Sequence, residues 1–221
     1  MTNEELLSRI DHTLLKANAI WDEIKVLCDE ALNFKTATVC IPPSYIEAVY
    51  KQYGAKPVIA SVIGFPLGYS LTPAKLLETE KALQCGAAEI DMVINIGDVK
   101  NGYFDRVFEE IALVKKACSD KILKVIIETC YLSEEEKVRL CGIVTKAGAD
   151  YIKTSTGFGT AGATLEDIKL FRQHIGPGVK IKAAGGIKTR EDLEAFIKAG
   201  ADRIGTSSAV KLLTGGTATG Y

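Results

Sequence analysis

Three stretches of the chain align without gaps: Gly86-Ala87-Ala88-Glu89-Ile90-Asp91, Gly148-Ala149-Asp150-Tyr151-Ile152-Lys153 and Gly200-Ala201-Asp202-Arg203-Ile204-Gly205. Each opens on a glycine suited to the left-handed cap that ends a helix, and each then runs into a strand. Side chains alternate along a strand, so Ile90, Ile152 and Ile204 share one face while Asp91, Lys153 and Gly205 share the other. If isoleucine meets covering helices, the last position faces inward. The repeat therefore sets a carboxylate, an amine and a bare backbone at one register on three strands.

Outward from these stretches, short β-rich runs alternate with amphipathic helical segments from end to end. Strands are expected at 9–14, 36–41, 58–64, 89–94, 122–128, 151–155, 179–184 and 203–206. Several are apolar on both faces, as in Val58-Ile59-Ala60-Ser61-Val62-Ile63, the pattern of a parallel sheet covered by helices. Thr72-Pro73 reads as an N-cap followed by proline at the first helical position. Ser133 with Glu136, Thr164 with Asp167 and Thr189 with Asp192 have capping-box spacing. Eight strand–helix units fit a closed (β/α)8 TIM barrel, an α/β fold, with a short N-terminal helix before it. No linker or shift in composition divides residues 1–221, so one domain is expected, with a flexible tail at about 214–221 that is rich in glycine and small polar residues.

Composition narrows the function. The 27 Lys and Arg residues nearly balance 28 Asp and Glu, for a net charge of −1, which gives no long-range attraction for nucleic acid or acidic membranes. No run is long and apolar enough to span a bilayer, and the N-terminus lacks the apolar core of a signal peptide. The six cysteines form no C-x-x-C pair and lie in or beside apolar segments, as reduced core thiols of a cytoplasmic protein do. The two histidines, His12 and His174, stand far apart, which argues against a zinc-dependent enzyme.

Lys153 lies late in an apolar strand, where a buried ammonium must be paired or neutralised. Lys182, in Val179-Lys180-Ile181-Lys182-Ala183-Ala184, is expected on the next strand, about 5 Å away. Two ammonium groups that close repel, which drives one toward the neutral amine a Schiff-base nucleophile needs. Lys180 shares the parity of Lys182 but sits earlier, toward the solvent-exposed bottom. Asp91 beside two lysines can relay protons or simply pair with them. Glu128 and the Asp11-His12-Thr13 cluster are further polar groups expected at the same face. Glycines and hydroxyls gather at three strand ends, in Ser155-Thr156-Gly157, Gly185-Gly186 and Gly205-Thr206-Ser207-Ser208. The last two follow strands seven and eight, where many barrels bind phosphate. Gly157-Phe158-Gly159-Thr160-Ala161-Gly162 matches a dinucleotide fingerprint, but the following strand carries Lys182 and runs into Gly185-Gly186 instead of ending on the acidic residue that site needs.

Over essentially the whole chain, these residues resemble the deoxyribose-phosphate aldolase family of class I, Schiff-base-forming aldolases. The resembling segments include Ile10-Asp11-His12-Thr13-Leu14-Leu15, Thr38-Val39-Cys40-Ile41-Pro42-Pro43, Glu89-Ile90-Asp91-Met92-Val93, Lys124-Val125-Ile126-Ile127-Glu128-Thr129 and Tyr151-Ile152-Lys153-Thr154-Ser155-Thr156-Gly157. The resemblance implies reversible, cofactor-free cleavage of 2-deoxy-D-ribose 5-phosphate to D-glyceraldehyde 3-phosphate and acetaldehyde, in deoxyribonucleotide catabolism. It puts the Schiff base on Lys153, with Lys182 perturbing it and Asp91 moving protons. Asp11, Thr13, Cys40, Glu128 and Thr156 are expected around the substrate, and Gly157, Gly185, Gly186, Ser207 and Ser208 around the phosphate. Some members carry a lysine where this chain has Phe158. Some end on a tyrosine that assists proton exchange, a role Tyr221 would take here. A homodimer or homotetramer is compatible with this reading. A phosphosugar isomerase on the same barrel would share the phosphate loops without needing two interior lysines, and a non-enzymatic phosphosugar-binding protein would form no covalent adduct.

Overall fold

In a computed structural model, which describes residues 1–215, eight parallel strands close into a barrel in chain order. They are β1 (Ile10–Thr13), β2 (Thr38–Ile41), β3 (Ile59–Ile63), β4 (Glu89–Val93), β5 (Ile122–Ile126), β6 (Tyr151–Lys153), β7 (Lys180–Ala184) and β8 (Arg203–Thr206). The helices are α1 (Asn3–Leu7), α2 (Trp21–Phe34), α3 (Ile46–Tyr53), α4 (Thr72–Gln84), α5 (Ile96–Lys100), α6 (Phe104–Cys118), α7 (Glu134–Lys146), α8 (Leu165–His174), α9 (Arg190–Ala199) and α10 (Ala209–Thr214). The expected fold, with its short N-terminal helix, is borne out. Each strand lies within its expected span and most are trimmed at their ends. Closure pairs β1 with β8, so no edge is left unpaired.

Alternation divides the strand side chains between two environments. Ile10, Val39, Ile41, Ile59, Ile90, Met92, Val125, Ile152, Ile181 and Ile204 pack outward against the helices in one apolar core. Each helix presents a matching stripe, as α2 does with Ile24, Leu27, Cys28 and Ala31. Inside, the β2–β3 side is apolar, with Cys40, Ala60 and Val62 in a cluster with Leu15 and Phe65. Elsewhere the interior carries a buried cluster of charged side chains, Asp11, Glu89, Asp91, Lys124, Lys153 and Lys182. His12, expected at the catalytic face, instead points outward by strand parity, and its Nε2 lies 2.7 Å from Glu30 on α2.

The helix starts are met with two differences. Ser133 and Thr189 form reciprocal capping boxes with Glu136 and Asp192. Thr164 accepts from the Asp167 N–H, but the Asp167 carboxylate turns to Lys137 Nζ at 2.6 Å, so that box is not reciprocal. Thr72 is the first helical residue, not the cap; its hydroxyl donates to Glu110 on α6 at 3.1 Å. At the other end, Thr214 closes α10 and Gly215 caps it with φ 91°; the remainder of the expected tail, 216–221, lies outside the described residues. All six cysteines are free thiols, with Cys85 and Cys130 half-buried and the others buried.

Candidate active site

The register sets Lys153 directly beside Lys182 on the neighbouring strand. Both amines turn inward to one carboxylate oxygen: Lys153 Nζ and Lys182 Nζ each donate to Asp91 Oδ2 at 2.7 Å. A third lysine completes the cluster, with Lys124 Nζ donating to Asp91 Oδ1 at 2.7 Å. Lys124 was within reach of sequence reasoning. It shares the inward parity of β5, in the run Ile122-Leu123-Lys124-Val125-Ile126, yet only the register shows that it stands opposite Asp91.

Asp11 on β1 pairs with Lys182 and with Arg203, whose Nη1 donates to Asp11 Oδ1 at 2.6 Å. Glu89 on β4 lies 2.6 Å from Lys124. Gly205 makes room for this arrangement, since a Cβ there would stand 3.0 Å from Lys182 Cε. The bare backbone in the repeat is therefore the space through which the Lys182 side chain runs.

The amines differ electrostatically. Burial pushes Lys153 below its ordinary range; Asp91 pulls the other way, and the Lys182 charge adds to the lowering. Burial is thus the first cause, with the cationic neighbour singled out from sequence acting beside it. Burial works against the charge of Lys182 too, but Asp11 and Asp91 outweigh it and raise that amine to about 12. Lys124 behaves likewise, held well above its usual value by Asp91, Asp11 and Glu89 against the opposing effect of burial. Burial would raise Asp91, but the three ammonium groups hold it well below the usual carboxylate range.

Of this cluster, Lys153 lines a cleft at the C-terminal ends of the strands, about 560 Å³ including its open mouth. Lys153 is 3% exposed and Lys182 and Lys124 are 0%, so the depressed amine is the one that meets the cleft. Thr13, Thr156, Gly157, Gly185, Gly186, Ser207 and Ser208 line the same cleft, as does Lys188, which sequence reasoning missed. Asp91, Lys182 and Asp11 lie buried beneath its floor, and Cys40 sits in the apolar β2–β3 cluster. Glu128 is also buried. Its backbone takes φ 52°, and its carboxylate accepts from the Thr156 N–H and hydroxyl, fixing the loop after β6. Burial pushes Glu128 up, opposed by Thr156 and Lys153.

The phosphate-type loops are pressed together. Gly185 and Gly186 take φ 81° and 76°, a left-handed conformation that favours glycine. Gly162 lies against them so closely that a Cβ would fall 2.3 Å from the Gly185 carbonyl. Gly162 of the dinucleotide-like run therefore serves the approach of two loops while Gly159 packs against Glu128 and Cys130, and no helix begins until Leu165. Phe158 stands with its ring edge-on to Phe65, centroids 5.4 Å apart. Tyr221 lies outside the described residues. Among the described residues, no group of three His, Cys, Asp or Glu side chains is arranged to hold a metal.

A closed parallel barrel with a buried amine of lowered proton affinity opening on a polar cleft suits the chemistry of an aldolase-type lyase. The chain belongs to the DeoC/LacD family of aldolases, whose profile matches residues 6–220. It is 62% identical over 221 residues, the whole of both chains, to a protein of Clostridium botulinum (strain Alaska E43 / Type E3) named deoxyribose-phosphate aldolase. It is 55% identical to the protein of that name from Clostridioides difficile (strain 630), across 99% of this chain and all of the relative. The solved structure of an Aeropyrum pernix deoxyribose phosphate aldolase, described as a tetramer, superposes with a TM-score of 0.87 at 35% identity, covering 96% of this chain and 91% of that one. The family resemblance read from the sequence is borne out.

Proposed function

We propose that this chain reversibly cleaves 2-deoxy-D-ribose 5-phosphate to D-glyceraldehyde 3-phosphate and acetaldehyde, through a Schiff base on Lys153. The observation that carries the reading is the position of Lys153: its amine is the member of the buried cluster that opens on the cleft, and burial with Lys182 weakens its hold on a proton. The names of the Clostridium and Clostridioides relatives support the choice of substrate.

In the proposed reaction the neutral Lys153 nitrogen adds to C1 of the open-chain sugar, and the carbinolamine loses water to give an iminium. The C2–C3 electron pair flows toward the iminium nitrogen, leaving an enamine on the enzyme. The C3 hydroxyl gives up its proton as it becomes the aldehyde of glyceraldehyde 3-phosphate. Protonation of the enamine carbon and addition of water to the resulting iminium release acetaldehyde and restore the amine. Asp91 is held too acidic to carry a resting proton. Its part is to bridge Lys153 and Lys182, so that protons pass between amines across one shared oxygen. Tyr221 would serve protonation of the enamine carbon.

Phosphate would rest on the backbone N–H groups of Gly185 and Gly186, beside Ser207 and Ser208, with Lys188 as the nearby cation at the rim. Lys188 thereby supplies a charge that Phe158 does not. Substrate and phosphate stay in line with the amine because both loops are pinned, one by Glu128 and the other by Gly162. A homo-oligomer is proposed by analogy with the tetrameric Aeropyrum structure. A cytoplasmic location is proposed from the six free thiols; no helix of the described residues is long and apolar enough to cross a membrane. The test of function is turnover of 2-deoxy-D-ribose 5-phosphate with both aldehydes quantified. Equal release of the two supports the assignment, and no cleavage by folded protein contradicts it.

A further inference from the structure

The closed end of the barrel carries charge that the proposed chemistry never touches. Arg203 opens β8 and Glu89 opens β4, the ends of those strands away from the cleft, and neither lines it. Arg203 Nη1 stands 3.5 Å from Glu89 Oε2 as well as donating to Asp11. Two chains of ion pairs run upward from this layer. One passes from Glu89 through Lys124 to Asp91, the other from Arg203 through Asp11 and Lys182 to Asp91. Both end on the carboxylate that holds Lys153.

Among the described residues, these pairs join three carboxylates, Asp11, Glu89 and Asp91, to four bases, Lys124, Lys153, Lys182 and Arg203. With every group ionised this ion-paired set would carry one uncompensated positive charge, which a water-poor interior penalises; the nearby Glu128, which burial pushes toward its neutral form and Thr156 holds, stands outside the set. Loss of one proton restores neutrality. A guanidinium does not give up its proton. Lys124 is in contact with Asp11, Glu89 and Asp91, and Lys182 with Asp11 and Asp91. Lys153 touches Asp91 alone. The other groups around Lys153 do not change this ordering. Glu128 faces it from the loop after β5 and is tied to Thr156, while Cys40 approaches from β2 as a buried thiol. Tyr151 lies between Lys180 and Arg203, its ring centroid 5.7 Å from each cationic head.

Resting on the proposed role of Lys153, we infer that Glu89 and Arg203 are positioning residues for that amine: their opposed charges, at the far end of the barrel, fix the balance that leaves Lys153 without a proton. The signature is a pair of opposite responses. Arg203→Gln removes a positive charge, so the interior is neutral with Lys153 protonated. Glu89→Gln removes a negative charge, so Lys153 is driven harder toward the free amine.

The experiment is the rate of cyanoborohydride-trapped acetaldehyde adduct on Lys153, followed by intact mass and peptide mapping across a pH series. Arg203→Gln should move the acid limb of trapping to higher pH and cut the rate at pH 7 on the order of fivefold, the scale of one unit charge removed at a distance inside a protein. Glu89→Gln should move it to lower pH. Arg203→Lys, which keeps the charge, should leave the limb in place, and the double variant should return it toward the parent. If Arg203→Gln fails to fold, Glu89→Gln alone decides. Unmoved limbs, or movement in the same direction for both single variants, overturn the inference while leaving the imine intact. A parent protein with no adduct on Lys153 overturns the proposed mechanism and this inference with it.

Discussion

Lys182→Leu isolates the charge beside the nucleophile. Lys153 and Lys182 each lie 2.7 Å from the same Asp91 oxygen, so their nitrogens are separated by at most twice that. Two like charges about 5 Å apart repel by about 3 kcal/mol at an effective dielectric constant of about 20. Lys182 lowers the proton affinity of Lys153, and its loss also frees the shared oxygen to hold the Lys153 ammonium more tightly. Both effects favour the protonated amine. Activity needs the neutral form, so it rises with pH through the Lys153 titration, and raising that titration moves the acid limb alkaline. An energy of about 3 kcal/mol corresponds to a fall of about 100-fold in kcat/KM at neutral pH. The loss should shrink as pH rises and Lys153 deprotonates unaided; whatever loss persists there measures the direct part Lys182 plays in proton transfer. The assay is the pH profile of kcat/KM, with circular dichroism to check folding. A uniform loss at every pH, with the acid limb unmoved, would refute the electrostatic argument.

Asp91→Asn leaves three buried amines without their shared counter-charge and should destabilise the fold by about 3–5 kcal/mol, read by denaturant unfolding; an unchanged midpoint would mean the cluster is not held by charge. Gly205→Ala places a methyl 3.0 Å from Lys182 Cε and should lower kcat about tenfold with little change in KM, while full activity would show that the lysine has room to move. Lys188→Ala and Ser208→Asp should each raise KM for the phosphorylated sugar far more than for unphosphorylated deoxyribose, whereas equal effects on both substrates would place the phosphate elsewhere.

The barrel was legible because its signals are local. Glycines end helices just before strands, and strand parity sorts Ile152 from Lys153 whatever the rest of the chain does. The cleft residues were legible for the same reason, since they follow strand ends in sequence. Charge pairing across the barrel was not. That Lys124, Glu89 and Arg203 join Asp11 and Asp91 depends on register among strands far apart in sequence. His12 was misplaced because a cluster of three polar residues was read as one unit, although alternation separates its middle member from the other two. Thr72 lost its expected cap role to Glu110, a partner 38 residues away. Lys188 was overlooked although it follows Gly185-Gly186 in the same loop after β7; what only the fold shows is that it lines the cleft with Ser208.

The central claim is that Lys153 forms the imine. Incubating the protein with acetaldehyde and borohydride, then digesting it and mapping the reduced adduct by mass spectrometry, tests it directly. The account predicts a single ethyl group on Lys153, absent in Lys153→Ala along with all aldol cleavage. An adduct mapped to Lys182 or Lys124, or none in a protein that turns over the substrate, would contradict it.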